Sequence, residues 1–142
     1  MLLIQDDSYL ANVDYKKWLS RCFVMNRKEY QAWELNPSID SIKDRVSFLI
    51  VLADDCFQAG RFEVASKAFD ALQDLDSNED FALGLKSSCL AVFRSAMIGK
   101  DSKSKNALPG TVRMLQARLS PSELRNILPP LEKWMRSNIT IQ

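Results

Sequence analysis

The stretch Leu49-Ile-Val-Leu-Ala-Asp-Asp-Cys-Phe-Gln-Ala-Gly-Arg-Phe-Glu-Val-Ala-Ser-Lys-Ala-Phe-Asp-Ala-Leu-Gln-Asp-Leu75 decides the fold. Leu49, Leu52, Ala53 and Cys56 fall at the i, i+3, i+4, i+7 spacing of a buried helical face. Gly60 follows at a tight turn, and Phe62, Ala65, Phe69, Leu72 and Leu75 mark a second apolar stripe. Small Ala53 and Ala65 allow the two backbones to approach where the helices cross. The unit has about the 34-residue period of a tetratricopeptide (TPR) hairpin. Such a hairpin cannot bury its apolar face alone and must stack on neighbours. The expected fold is therefore all-α, a TPR-like helical hairpin solenoid with C-terminal capping helices, and a binding scaffold is the leading functional class.

Working toward the amino terminus, Leu2 to Gln5 reads as the last turn of an earlier helix. A helix is expected from about Asp14, its N-cap, to Met25, with Tyr15, Trp18, Leu19, Cys22 and Phe23 on its apolar face. Asn26 and Arg27 turn into a second helix carrying Tyr30, Trp33 and Leu35, which Pro37 ends. The hairpin proper is expected as helix 42–58 and helix 61–76. Its run Phe48-Leu-Ile-Val-Leu52 is apolar on every side, as in a helix covered on both flanks. A buried strand competes for so short a run, but the helical spacing continues to Cys56.

Toward the carboxyl terminus, Ser77 or Asn78 caps a long helix over about 79–98. Residues 99–108 read as a polar, mobile loop and residues 109–142 as capping helices, roughly 109–118, 121–128 and 130–137. Pro121 begins one with Ser120 as its cap, and Pro129-Pro130 predicts a break or sharp kink. The whole of 1–142 is expected to form one domain, with 1–98 as degenerate hairpins.

Composition fits a helical domain. The apolar share of 46% and charged share of 26% are ordinary, and Gly (4) and Pro (5) are sparse. The longest continuous apolar run, Phe48 to Ala53, is far shorter than the ~20 residues of a spanning helix, so no membrane insertion is expected. The start of the chain lacks the basic region and long apolar stretch of a signal peptide. Three widely spaced cysteines, Cys22, Cys56 and Cys89, give neither a disulfide framework nor a metal motif and read as reduced core thiols.

No histidine is present, which removes the usual general base and the commonest metal ligand. Phosphate-cradling motifs are absent too. Asp54-Asp55 is a carboxylate pair inside an apolar helix, but adjacent helical residues point about 100° apart, so the two do not converge. Asp74 and Asp76 read as ordinary surface charge. No catalytic, metal or cofactor site is expected.

The net charge of +1 conceals an asymmetry. Residues 1–80 carry 9 basic and 15 acidic side chains, and residues 81–142 carry 10 basic and 3 acidic. The basic half is either a solvated surface or a face that steers an acidic partner. Nucleic acid is the weaker partner, since the basic residues are scattered with few interleaved aromatics. Candidate partner-binding residues are Arg113, Arg118, Arg125, Lys133 and Arg136, with Trp33, Phe57 and Trp134 as aromatic anchors. Completion of the core is the stronger reading for each of the three aromatics. Self-association through an apolar flank is a second class of function.

Several segments resemble the carboxyl-terminal part of the intraflagellar transport protein 56 family, TPR subunits of the ciliary transport complex B. They are Leu2-Leu-Ile-Gln, Trp18-Leu-Ser-Arg-Cys-Phe-Val-Met-Asn, Ala32-Trp-Glu-Leu, Ala53-Asp-Asp-Cys-Phe-Gln-Ala-Gly-Arg-Phe, Ala65-Ser-Lys-Ala-Phe-Asp-Ala-Leu-Gln-Asp-Leu-Asp and Cys89-Leu-Ala-Val-Phe. The likeness runs in order from Leu2 to Lys100 and resumes at Leu131-Glu-Lys-Trp, whereas residues 101–128 match poorly. The resemblance implies the carboxyl-terminal fragment of a longer repeat protein, a non-catalytic adaptor at the cilium or flagellum and basal body, on the cytoplasmic side. It implies contact with complex B, through its subunit intraflagellar transport protein 46, and a part in carrying motility cargo. A generic TPR adaptor or co-chaperone-type module that holds an acidic peptide is the alternative.

Overall fold

A computed structural model describes residues 12–98 and 102–138, which form seven α-helices with no strand among them. The expected helical tail at Leu2 to Gln5 lies outside the described residues. Helix α1 (Val13–Met25) is capped by Asn12, whose Oδ1 accepts from the Asp14 N–H at 2.7 Å. The cap is therefore two residues earlier than expected, and Asp14 lies in the first turn, where a carboxylate meets the positive end of the helix. Its far end closes on Arg27 at φ 60°, with Lys28 N–H reaching back to the Phe23 carbonyl at 2.8 Å. A short α2 (Glu29–Trp33) and a 3₁₀ turn at Asn36–Ser38 around Pro37 lead into the main hairpin.

Helix α3 (Ile42–Gln58) starts on Ser41, whose Oγ accepts from Asp44 N–H, and α4 (Phe62–Leu75) runs back along it. Between them Gly60 adopts φ 78°. Gly60 N–H donates to Phe57 O at 3.2 Å and Arg61 N–H to Cys56 O at 2.7 Å. These are the two bonds of a Schellman ending, and its left-handed residue is Gly here and Arg27 after α1. The all-round apolar run of α3 is not fully enclosed: Phe48, Leu49 and Leu52 are buried, but Ile50 is 43% exposed.

Helix α5 (Glu79–Ile98) is capped by Asn78 rather than Ser77, through Oδ1 accepting from Asp80 N–H at 2.8 Å. By length and composition it could cross a membrane, a property hidden from a search for continuous apolar runs. Here Phe81, Leu85, Cys89, Val92, Phe93 and Ala96 make it a core helix. Gly84 brings it close to α4, since a Cβ there would lie 2.5 Å from Phe69 Cε1. Phe69 packs against both core clusters, one around α1–α4 and one around α5–α6, and so joins them.

Two expectations about the carboxyl-terminal third are corrected. The polar segment read as a loop over 99–108 is helical from Ser102, the start of α6 (Ser102–Arg118). Buried Leu108, Thr111 and Leu115 recur at i, i+3, i+7 and seat it on α5, while Thr111 Oγ1 donates to Ala107 O at 2.9 Å. The break expected at Pro129-Pro130 is absent: α7 (Pro121–Asn138) continues through both prolines. The donors they lack would have served the carbonyls of Arg125 and Asn126, both solvent-exposed residues, so water can replace them. Ser120 does cap α7, in a reciprocal pair with Glu123.

Candidate partner-binding surface

Arg118 closes α6 onto α4. Its Nε donates to Asp70 Oδ1 at 2.9 Å and its Nη2 to Asp74 Oδ1 at 2.6 Å and to the Asp70 carbonyl at 3.3 Å. Asp70 and Asp74 share a face because they are four residues apart. Hydrogen bonds from the guanidinium to Asp74 and then Asp70 hold the Arg118 pKa above its usual value. The one guanidinium thus grips two carboxylates, and Asp74 is part of an interhelical clamp rather than ordinary surface charge. Lys86 makes a similar tie from α5 to Glu123 of α7 at 2.5 Å. Lys86 first, then Ser120, keeps the Glu123 carboxyl below its usual range.

The other cations stay on the outside. Arg113 is exposed on α6, and Arg125, Lys133 and Arg136 are exposed on α7. Arg125 Nε reaches the Pro121 carbonyl at 3.4 Å, leaving its charge unanswered by any carboxylate in that bond. Arg125 and Arg136 are three turns apart and so share a side of α7, about 16 Å from one another along the axis. Exposed Glu132 lies on the same side and offsets part of that charge.

Arg113 also lines a groove of about 550 Å³ between α2, α4 and α6. Tyr30 OH donates to Glu63 Oε1 at 2.5 Å, and Lys67 Nζ stands 5.6 Å from the centre of the Tyr30 ring. Burial first, and then the Glu63 hydrogen bond, raises the Tyr30 pKa far above its usual value, so the phenol is a neutral donor. Pro109 leaves the Lys105 carbonyl without the donor four residues on, and a Cβ at Gly110 would meet nothing within 4 Å. This wall of α6 stands beside the cations Arg113 and Lys67 and the carboxylate of Glu63.

The aromatic candidates divide. Trp33 is half-buried and packs against the first core cluster. Phe57 is 37% exposed and meets Phe62 edge-on, ring centres 5.3 Å apart, on the side of α3 that carries Ile50. The Trp134 side chain lies outside the described residues. Among the described candidates, Trp33 and Phe57 stand on α2 and α3, apart from the cations of α6 and α7. Tyr30, Glu63 and Lys67 come beside Arg113 only by packing across three helices, which no local pattern in the sequence shows.

All three cysteines are free. Burial pushes the Cys56 and Cys89 thiols up to about 12, so both stay protonated and unreactive at neutral pH. Among the described residues no group of acidic or thiol side chains could hold a metal ion.

Successive helical hairpins, a glycine-closed turn and small residues at the crossings define the class: a TPR-like helical-repeat protein. Comparison with known proteins then assigns the family. The chain matches Intraflagellar transport protein 56 across residues 1–142 and belongs to that family. It is similar to the Intraflagellar transport protein 56 homolog of Caenorhabditis elegans, 38% identical over 80 residues. That stretch covers 56% of this chain and 14% of the nematode protein.

Proposed function

We propose that this chain is a non-catalytic protein-binding segment of the intraflagellar transport machinery, working at the cilium or flagellum. The α6–α7 end docks an acidic or amphipathic segment of a neighbouring complex B subunit, with intraflagellar transport protein 46 as the partner that the family likeness favours. Motility cargo is carried indirectly, through that assembly. The observation that carries this reading is the set of exposed cations on α6 and α7 in a chain that matches the family end to end. Arg113 and Lys67 at the groove extend the same charge onto the α2–α4–α6 side.

Arg118 is excluded from the docking set, because its charge is already answered by Asp70 and Asp74. Arg113, Arg125 and Arg136 remain as the exposed cations on which the docking is tested. Long-range attraction of this kind chiefly raises the association rate and fades with salt. Charge reversal at Arg113, Arg125 and Arg136 together, followed by pull-down of purified intraflagellar transport protein 46, tests the assignment. Retention should fall at least tenfold while helicity is unchanged. Undiminished retention by the folded variant would rule this surface out.

A further inference from the structure

Of the five prolines in the chain, Pro121 follows Ser120, and no other serine or threonine precedes a proline. Ser120 stands between α6 and α7, outside both helices, and is exposed, as are Pro121 and Ser122. A residue before proline is biased to extended backbone, the conformation in which a protein kinase takes its acceptor. A kinase cleft that offers no acceptor to the next residue's N–H penalises every residue except proline. The Ser-Pro pair is thus a chemical signal to one class of kinase, the proline-directed enzymes.

The neighbours of Ser120 fix what a phosphate does there. Ser120 Oγ donates to Glu123 Oε1 at 3.1 Å and accepts from the Glu123 N–H at 3.4 Å. Ser120 N–H donates to the same carboxylate oxygen at 3.4 Å. The other oxygen of that carboxylate, Oε2, holds Lys86 Nζ from α5. Lys86 is therefore one carboxylate away from the serine hydroxyl. Arg125 lies one turn along α7 from Pro121, with its Nε on the Pro121 carbonyl at 3.4 Å. Arg118, two residues before the serine, is already engaged by Asp70 and Asp74. Esterification removes the hydroxyl proton that Glu123 accepts and adds about −1.5 to −2 of charge beside its carboxylate. That contact becomes a repulsion, while the first turn of α7 still favours the new anion.

We propose that Ser120 is a phosphorylation site for a proline-directed kinase, and that its phosphate displaces Glu123 as the partner of Lys86. In the transfer, the bond between Pγ of ATP and the β,γ-bridging oxygen breaks, and a bond from Pγ to Ser120 Oγ forms. The hydroxyl proton passes to the kinase's catalytic base, and ADP leaves. The phosphate offers Lys86 more charge and more acceptor oxygens than a carboxylate, so α7 stays fastened to α5 while Glu123 turns to solvent. The exchange places negative charge on the turn between the two helices that carry Arg113, Arg125 and Arg136. If the α6–α7 end docks an acidic segment, that charge weakens the docking; the modification itself stands without it.

The test treats the purified chain with a mitogen-activated protein kinase and MgATP, beside a synthetic peptide of residues 114–127. The tryptic peptide 119–125 should carry phosphate on Ser120, formed at a rate within tenfold of the synthetic peptide's. Pro121→Ala should slow labelling at least tenfold, and Ser122→Ala should leave it unchanged. Phosphorus NMR should then place the second ionisation of the phosphate below the pKa of about 6 usual for phosphoserine. Lys86→Met should raise it by about 0.5, and Lys86→Arg, which keeps the cation, should restore the low value. No labelling of Ser120, labelling more than tenfold slower than the peptide's, or full labelling of Pro121→Ala would overturn the site. An ionisation indifferent to Lys86→Met would overturn the exchange.

Discussion

The α3–α4 hairpin and the terminal helix α7 are held by different balances of force, while α6 between them is seated on α5 by buried Leu108, Thr111 and Leu115. In the hairpin, Phe48, Leu49, Leu52, Ala53, Cys56, Val64, Ala65, Ala68 and Leu72 are essentially inaccessible to solvent, and the turn is closed by a glycine suited to it. Helix α7 offers Leu128 at 9% exposure, with half-buried Leu124 and Ile127 packed on the second cluster. The end is tied down by Arg118 to Asp70 and Asp74 and by Lys86 to Glu123. Apolar burial is insensitive to salt at these positions, whereas half-exposed ion pairs are screened. The hairpin is thus held by apolar burial, and the α7 end in larger part by half-exposed ion pairs.

Substitutions can break that contrast. The largest effect belongs to the hairpin: Leu52→Ala should lower unfolding free energy by about 2–5 kcal/mol, because a fully buried leucine leaves a cavity. Urea denaturation checks it, and the loss should be the same at 0.1 and 1 M salt. Arg118→Ala should remove about 1 kcal/mol, a modest figure because its partners are partly solvated. Hydrogen exchange should then quicken in α6 while α3 and α4 stay protected, and 1 M salt should narrow the gap from the parent chain.

The two Schellman endings sharpen the comparison on a finer scale. Gly60→Ala should cost about 1 kcal/mol, since a side chain is strained at φ 78°. Arg27→Gly should do the reverse, stabilising by about 0.5 kcal/mol, because relief of left-handed strain is partly offset by the entropy of a freer unfolded chain. Thermal unfolding of both variants reads the two signs. Opposite shifts are expected, and equal shifts would show that the turn geometry has been misassigned.

The same contrast explains what could be read from the chain alone. The hairpin was legible because its buried positions recur every three or four residues and Gly60 punctuates them. The start of α6 was not, because Lys103, Lys105 and Asn106 have the composition of a loop and the helix depends on Leu108, Thr111 and Leu115 meeting α5. Local chemistry misled at Pro129-Pro130, where exposed carbonyls tolerate the lost donors. Arg118 resembled its neighbours in sequence, yet its partner Asp70 is 48 residues away, beyond any local pattern. The groove beside Tyr30 likewise forms only when three helices come together.

Hydrogen–deuterium exchange of the purified chain, with and without intraflagellar transport protein 46, tests the central claim most directly. The account predicts slowed exchange in α6 and α7, over 105–136, with α3 and α4 unchanged from their already protected state. Protection confined to α1 to α4, or none anywhere in a complex shown to form, would contradict it.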